Sequence, residues 1–240
     1  NYASASPAII AQEGGTIKSS IGATYTWDDL DNPVRPTLGF RGQIDSEIAG
    51  LGGDAYFGRL EAHGWFFYPL YEESIVLKLE GNAGHIEAFN GTDVPLQDRF
   101  FKGAESFRGF AQSGVGPRQN GNDDTTDSIG AQSYAIGTAE LTFPVGMPEA
   151  WGIEGAAFTD FGTVFGTPED SIAKGIAPCN VGTGTDDCTV FDTMTFRASV
   201  GAGLIWQSPF GPLRFELAYP ILKAKYDQAE YFRFSIGTRF

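Results

Sequence analysis

Long hydrophobic runs are missing from this sequence. The most extended apolar stretch, Gly64-Trp65-Phe66-Phe67-Tyr68-Pro69-Leu70-Tyr71, is short and broken by a proline. A spanning helix needs roughly 18–20 apolar residues, and mean hydropathy is only −0.15, so a helical membrane protein is excluded. Basic residues are scarce too: 16 Lys and Arg stand against 30 Asp and Glu, a formal charge of −14. Nucleic acid is bound by clustered Lys and Arg, so no such partner is expected. Histidine occurs only at His63 and His85, neither beside a Ser or acid in a recognised catalytic arrangement. Gly201-Ala202-Gly203 falls within a strand pattern rather than before a helix, so no nucleotide loop follows. No enzyme activity and no cofactor are expected.

Cysteine is limited to Cys179 and Cys188 in a Gly/Asp/Thr-rich stretch. A close pair in a polar loop reads as a small disulfide from an oxidising compartment, with two unpaired thiols as the alternative. Charged residues make up 19%, below the roughly 25% usual for soluble domains. Aromatics at 14% exclude a disordered chain. No secretory signal is visible at Asn1, so the start reads as a mature end or an internal cut.

What the sequence does have is alternation, with a period of two almost everywhere. In Thr16–Asp28, Ile21, Ala23, Tyr25 and Trp27 oppose Ser20, Thr24, Thr26 and Asp28. The same pattern marks Phe40–Ala49, Ala55–Tyr68 and Ser74–Gly84. It resumes at Ser133–Val145, where Glu140 falls on the polar face, and continues through Trp151–Phe165 and Thr195–Trp206. Leu213–Ile221 sets Leu213, Phe215, Leu217 and Tyr219 against Arg214 and Glu216, and Tyr231–Phe240 sets Phe232, Phe234 and Ile236 against Arg233 and Ser235. These make nine candidate strands and no convincing helix.

Alternation also suits a soluble sandwich, but three features favour an antiparallel transmembrane β-barrel. The strands run about 10 residues or longer, enough for a tilted strand to cross a bilayer. Their polar faces carry full charges, as a wet lumen allows. Aromatics cluster at their ends: Tyr25 and Trp27, Phe66 to Tyr68, Trp151, Trp206, Tyr219, Tyr231 and Phe240. Short Pro-marked links (68–73, 144–149, 208–212) alternate with long ones, chiefly 90–132 and 166–192. Short periplasmic turns and long outer loops are the outer-membrane pattern. The acids of those long loops lack the spacing of an EF-hand, so no metal site is expected. His63 reads as a lumen residue and His85 as a strand-end residue. With the C-terminus periplasmic, nine crossings put the first strand's start outside the cell. Bacterial barrels have even strand numbers, so the chain reads as the C-terminal part of a larger barrel, unless the count is off by one.

The long loop contains Arg99-Phe100-Phe101-Lys102-Gly103-Ala104-Glu105-Ser106-Phe107-Arg108-Gly109-Phe110. It resembles the (Val/Leu/Phe)-Arg-Gly-(Phe/Tyr) signature of the BamA/TamA superfamily of outer-membrane insertases. Phe158-Thr159-Asp160-Phe161-Gly162 resembles that family's Phe-x-Asp-x-Gly strand motif. Ser208-Pro209-Phe210-Gly211-Pro212-Leu213 resembles its Ser-Pro-hydrophobic-Gly-Pro turn. Residues 231–240, with Phe234, Ser235, Gly237 and Phe240, resemble its terminal β-signal. The matches run in order over essentially the whole chain, BamA-like first and TamA-like second.

The resemblance implies that the loop at about 90–132 folds into the lumen, where Glu140 and Asp160 hold Arg108, Gly109 permits a tight backbone and Phe110 completes the motif. It implies a weak seam at the last strand that can template incoming strands. The implied activity is folding and insertion of nascent outer-membrane proteins, without chemistry, in contact with outer-membrane lipids and with lipoprotein subunits bound through N-terminal POTRA domains that this sequence does not include. The alternatives are a polypeptide-secretion pore or a TamA-like translocation factor. Ordinary lumen charges for Arg108, Glu140 and Asp160, and a mere self-insertion tag for Phe240, are the plainer readings.

Overall fold

Successive residues of a pleated strand point to opposite faces, so alternation over a dozen residues commits each segment to one polar and one apolar surface. The computed structural model describes residues 5–10, 14–72, 74–120, 126–167, 190–208 and 211–237. In chain order its elements are a one-turn helix α1 (Pro7–Ile10) and strands β1 (Lys18–Leu30), β2 (Gly39–Gly53), β3 (Phe57–Tyr71) and β4 (Ile75–Ala88). Within the following loop lie β5 (Arg118–Asn120) and β6 (Thr126–Ser128). Then come β7 (Ser133–Pro144), β8 (Ile153–Phe165), the two-residue β9 (Val190–Phe191), β10 (Arg197–Ser208), β11 (Gly211–Leu222) and β12 (Phe232–Ile236).

Nine of these form one antiparallel sheet in the order β1-β2-β3-β4-β7-β8-β10-β11-β12. They are the nine segments with alternating sequence. The short β5, β6 and β9, absent from the sequence reading, make a separate three-stranded sheet between two loops. Among the described residues β1 pairs only with β2 and β12 only with β11, so the sheet has two free edges and is not closed. No helix among them is long and apolar enough to cross a membrane. Among the described residues the last strand covers Phe232–Ile236, and positions 238–240 lie outside them. Gly237 takes a φ of +121° and its N–H still bonds the Pro212 carbonyl of β11 at 2.9 Å.

One face of the sheet is apolar and open. Tyr25, Trp27, Leu217 and Tyr219 are each more than 60% exposed on it, which inverts the usual soluble pattern and suits lipid. Phe66 and Tyr68 stack there with ring centroids 6.4 Å apart, and Tyr219 stacks on Tyr231 at 5.8 Å. Phe67, grouped with these aromatics in the sequence, instead points inward and is buried with Trp65 and Val76. Parity requires it: its two neighbours already occupy the outer face.

Residues 89–120 and 126–132 fold over the inner face. Phe57 and Ile86 from the strands meet Val94, Phe100, Phe107, Phe110 and Val115 from the loop in one buried cluster. Each fully buried phenyl contributes about 1.5–3 kcal/mol, so the loop is docked by a core of its own. Other segments complete the cover. Ser6 and Ala8 donate backbone N–H groups to Asp127 (2.7 Å) and Gln119 (2.9 Å) of the loop. The Asp192 carboxylate accepts from the Gly166 (3.1 Å) and Thr167 (2.7 Å) amides, closing the neck of the 166–192 connection. Cys179 and Cys188 lie beyond that neck, outside the described residues, as does Phe240.

Candidate functional site

Four strands supply the site's walls and the long loop supplies its centre. Strand parity turns Glu140 of β7, Asp160 of β8, Ser199 of β10 and Arg214 and Glu216 of β11 to the inner face, all of them buried. Arg108 descends from the loop into their midst with 3% of its surface exposed. Asp160 takes its guanidinium side-on, accepting from Nε at 2.8 Å and from Nη2 at 2.6 Å, and also accepts the Arg108 backbone N–H at 2.9 Å. Nη1 donates to Glu140 and, at 3.2 Å, to Glu216. Thr138 donates its hydroxyl to Asp160 at 2.9 Å, and Ser199 donates to the Arg108 carbonyl at 2.5 Å.

The guanidinium sits over the ring of Phe158, with Cζ 3.4 Å from the centroid, a cation–π contact that Arg favours. Phe158 stands directly opposite Gly201. A Cβ on Gly201 would sit 2.3 Å from the ring's Cζ and 2.5 Å from the Leu217 carbonyl oxygen, so that glycine makes room for the platform. Gly109, with a φ of +88°, lets the chain turn where a Cβ would lie 3.0 Å from that of Ser199. Phe110 is fully buried against Phe107, edge to face at 4.9 Å. Gly162 approaches β7 so closely that a Cβ would meet the Ala135 carbonyl oxygen at 2.2 Å.

A second cation shares the acids. Arg214 bonds Glu140 at 2.6 Å and stands 3.4 Å from Glu216. The cluster thus sets two cations against three carboxylates, a net charge of −1. Burial disfavours the Arg108 cation, but the hydrogen bonds and charge of Asp160, joined by Glu140 and Glu216, hold its pKa above the ordinary value. An ion cluster this dry is kept by geometry and complete hydrogen bonding. On its C-terminal side lies a cavity of about 120 Å³ lined by Arg35, Phe67, Lys78, Glu140, Arg214 and Gly237 among others.

The structure therefore brings Arg108, Gly109, Phe110, Glu140, Asp160 and Gly162 into one place. Arg214, Glu216, Ser199, Thr138 and Phe158 join them, though the sequence did not assign them to the site. Alternation turned Arg214 and Glu216 inward, but only the register between neighbouring strands, which periodicity does not contain, sets them beside Glu140. The terminal-strand residues stand apart. Phe234 faces outward against Phe215, centroids 4.9 Å apart, while Ser235 is buried on the inner face. His63 lies inward, stacked on Trp65 and 2.7 Å from Asn82, and His85 is an exposed residue beside Ser133 and Glu87. Among the described residues no group of three or more His, Cys, Asp or Glu is placed to hold a metal ion. Higher in the loop, burial pushes the Lys102 ammonium down to about 8 against the attraction of Glu61. It rests 3.6 Å from the centroid of the Tyr134 ring.

An inward loop fixed by arginine against the motif acids of neighbouring strands matches one family model along the whole chain. That model, described as the Omp85 superfamily domain, matches residues 1–240. The chain belongs to the Omp85 superfamily. Within it, the chain is 32% identical over 237 residues to the outer membrane protein assembly factor BamA of Neorickettsia risticii, covering 98% of this chain and 29% of that protein. It is 31% identical to BamA of Neisseria meningitidis serogroup B, again over 237 residues, with 95% of this chain and 29% of that protein covered. A eukaryotic relative, the sorting and assembly machinery component 50 homolog B of Xenopus laevis, is 29% identical over 203 residues, 84% of this chain and 41% of that protein. The chain thus spans under a third of the length of these BamA proteins. Among solved structures, BamA from Haemophilus ducreyi lacking POTRA domains 1–3 superposes with a TM-score of 0.73 at 24% identity, over 95% of this chain and 46% of that one. That likeness fixes the fold as part of an outer-membrane barrel. The resemblance first seen in four short motifs extends over the chain.

Proposed function

We propose that this chain forms the C-terminal part of the barrel of an outer-membrane protein assembly factor. The observation that carries the reading is the Arg108 loop, buried on the inner face and ion-paired to β7, β8 and β11. The similarity to the outer membrane protein assembly factors of Neorickettsia risticii and Neisseria meningitidis supports it. On this reading the apolar face meets outer-membrane lipid, and the rim bearing Gly211 and Ile236 faces the periplasm. Substrates are nascent β-barrel proteins, and lipoprotein subunits engage POTRA domains outside the present residues.

The work is conformational, with no bond made or broken. Unpaired backbone groups in hydrocarbon each cost several kcal/mol, so a free strand edge binds another strand. The β12 ladder is five residues long against 12–15 for the other eight main strands. Among the described residues it is the main-sheet strand with the shortest pairing, and its outer edge is open to an arriving strand. The Arg108 loop holds β7, β8 and β11 rigid beside it, so movement concentrates at the last strand.

The test is reconstitution of the full-length protein in liposomes with a urea-unfolded outer-membrane barrel as substrate. Folding is read as the appearance of the heat-modifiable band. The protein should raise the folding rate over empty liposomes, and Arg108→Ala should lower it. Equal rates with and without the protein would overturn the reading.

A further inference from the structure

The long loop is held from a second side, by the link between β11 and β12. Residues 223–231 turn inward and run beside the loop tip as a short ladder. Ala111 donates its N–H to the Gln228 carbonyl at 2.9 Å, Gln228 donates to Gly114 at 2.9 Å, and Glu230 donates to Gly109 at 3.1 Å. Phe110 and Ala229 form the bridge between them. The link is itself anchored by a pair with no surface exposed on either side chain: Arg197 of β10 and Asp227. The guanidinium engages both carboxylate oxygens, at 2.8 and 3.1 Å, and also donates to the Val164 and Thr195 carbonyls. Asp227 in turn accepts the Ala224 N–H at 2.6 Å. Tyr226 extends the anchor by stacking on Phe191 at 5.5 Å.

From this geometry we infer that Arg197 and Asp227 are positioning residues for the Arg108 loop, acting through the 228–230 ladder, and that this ladder makes loop docking and the placement of β12 one coupled equilibrium. The physical argument is one of connectivity. The bonded residues Gly109 and Ala111 follow Arg108 within three positions, while Glu230 lies two residues before Phe232, the first residue of β12. A displacement of β12 pulls on the ladder. Release of the loop leaves the ladder's backbone groups unpaired in a covered site, which is costly. Coupling of this kind is reciprocal: whatever loosens one end loosens the other. The Arg108 ion cluster alone would give no such link, since its partners lie on β7, β8 and β11 and none on β12. The assignment rests on the insertase reading only for its consequence in substrate folding. The coupling itself is a property of the fold.

The experiment uses the full-length protein in liposomes with Asp227→Asn, which leaves every ligand of Arg108 in place. Two readouts are taken under conditions where the barrel keeps its heat-modifiable mobility: trypsin cleavage after Arg108, and maleimide labelling of a Ser235→Cys reporter on the inner face of β12. Both should rise at least about tenfold, because removing one partner of a buried pair is strongly destabilising. A second variant, Gln228→Pro, deletes the ladder donor to Gly114 while keeping both side chains of the Arg197–Asp227 pair. It should raise both readouts with a smaller loss of thermal stability than Asp227→Asn causes, a result that loss of core stability alone would not give. Reciprocally, Arg108→Ala should raise labelling at position 235. Unchanged cleavage and labelling in Asp227→Asn, or in Gln228→Pro should Asp227→Asn fail to fold, would overturn the assignment. Neither readout uses substrate, so failure of the coupling and failure of the insertase reading are separable.

Discussion

The two halves of the sheet's inner face carry similar sequence patterns and end in different physical states. Under the loop, on β7 to β11, charges are dry: Arg108, Glu140, Asp160 and Glu216 all lie within 5% side-chain exposure. On β1 and β2 the same alternation leaves them wet. Arg41 and Asp28 stand 3.8 Å apart with 29% and 43% of their side chains exposed, and Asp45, 31% exposed, accepts from Thr24 and Gln43 with the His63 ring 3.7 Å away. A strand's parity decides only which face a charge is on. Whether that charge is worth anything depends on what covers it, and here the cover is a loop contributed from between β4 and β7.

The comparison predicts a graded set of costs. Arg108→Ala should be the most damaging single change, releasing the loop by about 3–5 kcal/mol because buried Asp160 loses its cation while Glu140 and Glu216 are left with Arg214. Limited proteolysis within 90–132 and the substrate-folding rate are the measurements. Normal protection with normal activity would erase the distinction between the halves. Gly201→Val comes next, at about 1–3 kcal/mol, since the added carbons overlap Phe158 and displace the guanidinium from its platform. A lowered urea midpoint for the heat-modifiable form would register it.

A pH effect of intermediate size should appear at Lys102. The docked ammonium titrates at about 8 and the free one at 10.5, so docking disfavours the charged form. The penalty is fully present below pH 8 and fades as pH rises toward 10.5, because the undocked loop then holds a proton the docked loop has lost. Loop protection from protease should therefore increase over that window, and Lys102→Met should flatten the profile. The smallest effect is expected for Asp28→Asn, under about 1 kcal/mol as for other exposed pairs. A cost approaching that of Arg108→Ala, read by the same urea titration, would mean that β1 and β2 are covered as tightly as the other half.

The fold was largely legible because pleating imposes its period on every strand that separates lipid from a polar interior. Boundaries were less so. β2 continues past Ala49 to Gly53 and β3 past Tyr68 to Tyr71, since hydrogen bonding persists beyond the lipid-facing span where alternation stops mattering. β5, β6 and β9 are two or three residues long, too short to show any period. For the site, parity alone turned Glu140 and Asp160 inward, and a family motif associated them with Arg108. Arg214 and Glu216 needed the pairing of Gly203 with Glu216 and of Ile205 with Arg214, a relation between strands that no single segment encodes. Arg197 and Asp227 are 30 positions apart, and nothing in either local pattern connects them.

The Asp192 clamp has a consequence for how this chain can change over time. Its hydrogen bonds to Gly166 and Thr167, with β9 paired to β5 alongside, shut the neck before the intervening residues begin. Lengthening that stretch therefore adds only the slow logarithmic cost of a larger loop and leaves β8 and β10 in register. Sequence between positions 168 and 189 can thus drift under selection at little expense to the strands, and a peptide tag grafted there should leave the heat-modifiable fold intact.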